Sequence, residues 1–115
     1  MDIVRRTLRS FLTRAAHKGI KALDPQCQCA KQLGEIEDVE LVIAEEIETI
    51  CRVATLPEIT RIFLLTARLK KTEPQKREAI KTSLKKTANI LAARIESQSG
   101  PLRLPKACRY LLLGI

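Results

Sequence analysis

Few side chains in this sequence are of a type that does chemistry. His17 is the only histidine, and four cysteines stand at Cys27, Cys29, Cys51 and Cys108. Nucleophilic catalysis needs an imidazole with a nucleophile and an orienting group in reach. His17 instead lies in a stretch of Arg and Lys, which predicts a surface histidine. Cys27-x-Cys29 brings two thiols together, but a structural zinc site takes four ligands, usually in Cys-x₂₋₄-Cys spacing. The other candidates, Cys51, Cys108 and His17, come from separate segments, and a helical thiol such as Cys51 reads as a small core residue. Paired carboxylates abound between Glu35 and Glu48, where seven of the thirteen acids lie. They stand among like charges, as a solvated face does, and not as a cleft that splits two pKa values. The four glycines are isolated, so no phosphate-cradling loop is present. These residues predict a protein that is not an enzyme and takes no metal or cofactor.

Charge is the chemistry that remains. The 115 residues carry 21 Lys and Arg against 13 Asp and Glu, a formal charge of +8. Residues 3–23 are Arg-rich and contain no acid. At 100° per residue, Val4, Leu8, Phe11, Leu12, Ala15 and Ala22 share one face of a helix. Arg6, Arg9, Arg14, His17 and Lys21 gather on the other, with Arg5 and Lys18 at its borders. Such a face suits nucleic-acid phosphates, anionic lipid or an acidic protein surface. Arg5, Arg6, Arg9, Arg14, Lys18 and Lys21 are therefore the candidate nucleic-acid-binding residues. The lysines between 76 and 86 split onto both flanks of an apolar stripe, which suits stems lying over a core edge.

The aromatic residues narrow the mode of binding. Phe11 and Phe63 fall on apolar faces and only Tyr110 remains, so a base-stacking platform is not expected. The helix after Leu56-Pro57 is too apolar for a recognition helix. What is left is binding to the backbone of RNA or DNA with little sequence specificity. Internal pairing offers an alternative explanation of the charge, and exposed pairs contribute only about 0–1 kcal/mol each. Outside residues 35–54, however, twenty bases stand against six acids, an excess that pairing within the chain cannot absorb.

The elements that must carry these residues are predicted to be four helices in an all-α bundle, a single domain over 1–115 with a short apolar C-terminal tail. The first covers 3–23. Asp24-Pro25 then marks a turn, and QCQCAKQLG reads as a loop closing at Gly34. The second, 35–54, has an apolar stripe of Ile36, Val39, Ile43, Ile47, Ile50 and Ala54. The third, 57–71, has Pro57 in its first turn and is apolar nearly all round, so it is expected to be the central, most buried helix. Thr72-Glu73-Pro74-Gln75 reads as a capping box opening the fourth, whose stripe is Ile80, Leu84, Ala88, Leu91 and Ile95 and whose stop is Gly100-Pro101.

The tail from Leu102 to Ile115 is too apolar to stay in water. It is expected to dock beside the third helix or on a second copy, and the unequal helix lengths favour a homodimer. Leu104, Tyr110, Leu111, Leu112 and Leu113 are accordingly candidate protein-interaction residues. With the acidic helix 35–54 they support an alternative function: an interaction or adaptor factor, such as a viral accessory protein acting on host partners. No apolar run approaches the ~20 residues that span a bilayer, and no secretory apolar core is present. Reduced thiols in a cytoplasmic or nuclear setting are expected. The acid-free, Arg-rich start also fits a mitochondrial presequence, with Asp2 against it.

Overall fold

The computed structural model describes residues 2–115. It is all-α: α1 (Asp2–Ala22), α2 (Gln28–Gly34), α3 (Val39–Val53), α4 (Leu56–Lys71), a 3₁₀ turn (Pro74–Lys76), α5 (Arg77–Ser99) and a C-terminal 3₁₀ helix (Lys106–Leu113). The four predicted helices are present. α1 packs on α3, α4 packs on α5, and α3 meets α5 to join the pairs. The predicted stripes face inward, with Leu8 and Leu12 of α1, Ile43 and Ile47 of α3, and Leu84, Leu91 and Ile95 of α5 all buried. Gly100 ends α5 as expected, with φ at 88° and its N–H on the Glu96 carbonyl. No helix among the described residues is long and apolar enough to cross a membrane.

Three expectations are corrected. The stretch read as a loop before Gly34 contains α2, whose N-cap is Cys27: its Sγ accepts the Ala30 N–H at 3.3 Å. Cysteine is not among the usual capping residues, and the buried Cys29 and Leu33 anchor this short helix. The capping box expected at Thr72 does not form. Pro74 disfavours helical geometry at the preceding residue, so Glu73 is extended and a 3₁₀ turn intervenes. Thr72 instead closes α4, its hydroxyl donating to the Arg68 carbonyl at 2.6 Å. The capping box lies at the start of α4, where the Glu58 carboxylate accepts the Thr55 N–H at 2.8 Å and the Thr55 hydroxyl at 3.0 Å.

The third correction concerns α4, which is not the central helix. It buries Ile59, Ile62 and Thr66, while Leu56 and Leu64 are 43% and 57% exposed. Its main neighbour is α5, with Phe63 packed edge to face on Phe11 of α1. A fork from Arg94 to Glu58, at 2.6 and 2.9 Å, pins α4 to α5. Burial pushes the Glu58 carboxyl up, but hydrogen bonds from Arg94 and Thr55 outweigh it and hold the pKa below the ordinary glutamate value.

The tail lies against α1, α2 and α5. It does so through a close approach at Gly19, where a Cβ would sit 2.5 Å from Leu111 Cδ1 and 3.2 Å from its Cγ. Glycine weakens a helix by about 1 kcal/mol relative to Ala, and here that cost makes room for Leu111. Gly114 then closes the 3₁₀ helix with φ at 72°, a left-handed conformation that favours glycine. On α3, Glu46 turns inward and accepts the Arg103 N–H at 3.0 Å, and Glu45 pairs with the Arg103 guanidinium at 2.8 Å. Together they fix the chain leading into the tail.

Two outcomes follow from this packing. Gly19→Val forces Leu111 out of place and is expected to destabilise by about 1–3 kcal/mol, the usual range for overpacking. In a Leu111→Ala background the same change costs much less, and a double-mutant cycle by denaturant unfolding reads that coupling. Glu58 has a depressed folded pKa, so its contribution is present above the unfolded value of about 4.3 and is lost as pH falls through the folded value. Between about pH 5 and 3, the parent should therefore lose stability more steeply than Glu58→Gln, as thermal melts across that range would show.

Candidate nucleic-acid interface

The outward face of α1 carries the predicted basic row, and the structure divides it. Leu8, Leu12 and Ala16 form the fully buried line of the helix. Arg5 and Arg9 flank that line on the side of α3. Arg5 donates to the Cys51 carbonyl, and Arg9 meets the Glu48 carboxylate at 2.7 Å. Both guanidinium groups hold α1 on α3, so these two candidates are tied to the fold. Arg6, Arg14, Lys18 and Lys21 are exposed, as is His17, and none of the four cations forms an ion pair among the described residues. The basic face is therefore real but smaller than the helical wheel predicted.

A second basic cluster escaped the sequence reading. The C-terminal 3₁₀ helix brings Tyr110 to α5, where its hydroxyl donates to Asn89 Oδ1 at 3.2 Å and the Lys85 ammonium lies 5.4 Å from its ring centroid. Arg109 donates to the same Asn89 oxygen at 3.1 Å. An open groove runs between Tyr110 and Lys85, Lys86 and Ile90 of α5. The lysines were visible in the sequence as flanking an apolar stripe. What could not be read was that a residue of the tail would come to lie beside them. A separate cavity of about 40 Å³ among Glu46, Ile62, Leu91 and Leu113 has room for a water and not for a substrate-sized molecule.

The tail residues proposed for protein interaction are corrected. Leu104, Leu111, Leu112 and Leu113 are buried in the chain's own core, and Tyr110 is half-buried. The apolar density that suggested a partner is turned inward, and the tail docks on its own chain, against α1, α2 and α5 rather than beside α4. The cysteines also depart from expectation. Cys29 and Cys108, distant in sequence, are disulfide-bonded with Cα atoms 5.1 Å apart. The expectation of reduced thiols is thereby corrected for this pair. Cys27 is free, and Cys51 is a buried thiol whose pKa is pushed up by burial against the opposing pull of Arg9. The disulfide spans 79 residues of sequence, and closing so long a loop stabilises by about 4.5 kcal/mol on chain-entropy grounds. Cys108→Ala, or reduction of the parent, is expected to lower the unfolding midpoint, and denaturant titrations with and without dithiothreitol would measure it.

No protein-family model, curated protein or solved structure matches this chain.

Proposed function

We propose that this protein binds nucleic acid through the phosphate backbone, with little sequence specificity, using the exposed face of α1. The observation that carries the reading is the set Arg6, Arg14, Lys18 and Lys21: four exposed cations without ion-pair partners among the described residues, in a chain of net charge +8. Arg5 and Arg9 contribute by seating the helix, not by touching the ligand. A row of this kind neutralises successive phosphates and releases their counterions, a contribution that is independent of base sequence. The acidic face of α3 and the net positive charge of the rest give the molecule a polarity that orients it on a polyanion.

Fluorescence anisotropy with labelled duplexes of unrelated sequence tests the reading. Affinity should be similar across sequences and fall with salt, with a slope of log K on log salt of about −3.6 if all four cations meet phosphates. Reversing Arg6, Arg14 and Lys18 to Glu should abolish binding and leave the helical circular dichroism unchanged. Retained binding in that triple variant would overturn the assignment to α1.

A further inference from the structure

We propose that the groove between α5 and the C-terminal 3₁₀ helix takes an unpaired nucleic-acid strand, with Lys85 and Lys86 on the phosphates and a base against Tyr110 and Ile90. The inference rests on the nucleic-acid reading above and deepens it, adding a second contact of different character from α1.

Three observations support it. The first is the aromatic. Phe11 and Phe63 pack edge to face on each other, with ring centroids 5.7 Å apart. Tyr110 is the remaining aromatic residue, and it lies half-buried at the surface. Its hydroxyl is held on Asn89, so the ring has a fixed position in the groove wall. The second is charge. Lys85 and Lys86 form no ion pair among the described residues, and no acid lines the groove. The two carboxylates of α5 are engaged by other cations, Glu78 by Lys81 at 3.9 Å and Glu96 by Arg109 at 3.8 Å. The third is apolar surface: Ile90 is 49% exposed beside those cations, with Ala93 one turn further on.

An unpaired strand presents a flat apolar base next to an anionic backbone, which is the combination this groove complements. A duplex keeps its bases stacked inside and offers only phosphate. The Lys85 ammonium now sits over the Tyr110 ring in a cation–π contact, which is weak at an exposed site. A base arriving on that face displaces the ammonium, and the flexible lysine stem carries it to the adjoining phosphate. Asn89 commits its oxygen to Tyr110 and Arg109, which leaves its amide N–H groups as donors toward the strand.

The molecule supplies its own reporter, because Tyr110 is the sole tyrosine. Incorporated 3-fluorotyrosine gives a single fluorine resonance from this groove. Titration with a short oligothymidylate should shift that resonance saturably. Lys85→Ala combined with Lys86→Ala should abolish the shift and lower the salt slope for the strand by about 1.4, or about 0.7 for each lost phosphate contact. The variant should retain parental circular dichroism and parental affinity for duplex. If the strand binds by anisotropy while the resonance stays put, the groove assignment fails and the α1 reading stands. If neither strand nor duplex binds, both fail. A polyglutamate peptide that moves the resonance as far as the strand does would also overturn the inference, by making the groove a site for acidic peptide.

Discussion

Leu111 lying against the bare backbone of Gly19 is the contact on which the arrangement of the other elements depends. It brings the C-terminal 3₁₀ helix close enough to α1 for Leu112 and Leu113 to enter the core and for Cys108 to reach Cys29. Without it, the molecule would be two helix pairs, α1 with α3 and α4 with α5, joined along the contact of α3 with α5. With it, the tail touches α1, α2 and α5 at once and becomes the centre of the fold. α4 buries only the face of Ile59, Ile62 and Thr66 and stays at the periphery, with Leu56 and Leu64 in water.

Charge follows a consistent division of labour. Apart from Glu78 with Lys81 within α5, the ion pairs among the described residues join two elements: Glu48 with Arg9 across α3 and α1, Glu58 with Arg94 across α4 and α5, Glu45 with Arg103 across α3 and the segment before the tail, and Glu96 with Arg109 across α5 and the C-terminal 3₁₀ helix. The cations used in this way sit at the flanks of buried stripes, where a partner on the next element is in reach. Those at the crest of α1 meet no acid among the described residues. The surplus of positive charge is thereby left on surfaces that the fold does not use, which is the physical basis of the proposal of a polyanionic partner.

Much of the architecture was legible because it rests on local chemistry. The stripes of α1, α3 and α5 follow the helical period, and Gly100 stops α5 as its sequence context predicts. What was misread depended on contacts between distant residues. Cys27 caps α2 with a thiol, a role that composition does not advertise. Thr72-x-x-Gln75 has the letters of a capping box, but Pro74 forbids the backbone it needs, while Thr55-x-x-Glu58 has both letters and backbone. Gly19 reads as a weak point in a helix until Leu111 is placed against it. At the candidate site, the wheel identified the basic face correctly as a face. It could not show that Arg5 and Arg9 would be drawn to α3, or that Tyr110 would come to rest beside Lys85.

The position of the tail in the core also bears on how the protein is made. The residues that cover the far half of α1, from Leu104 to Leu113, are synthesised nearly ninety positions after it. Until then the line of Leu8, Leu12 and Ala16 is only partly covered by α3, and a nascent chain with such a stripe open to water is prone to aggregate. Its positive charge offers some protection, since like-charged chains repel one another. The stripe of α1 therefore needs protection in the interval between its own synthesis and that of the tail, which closes the core.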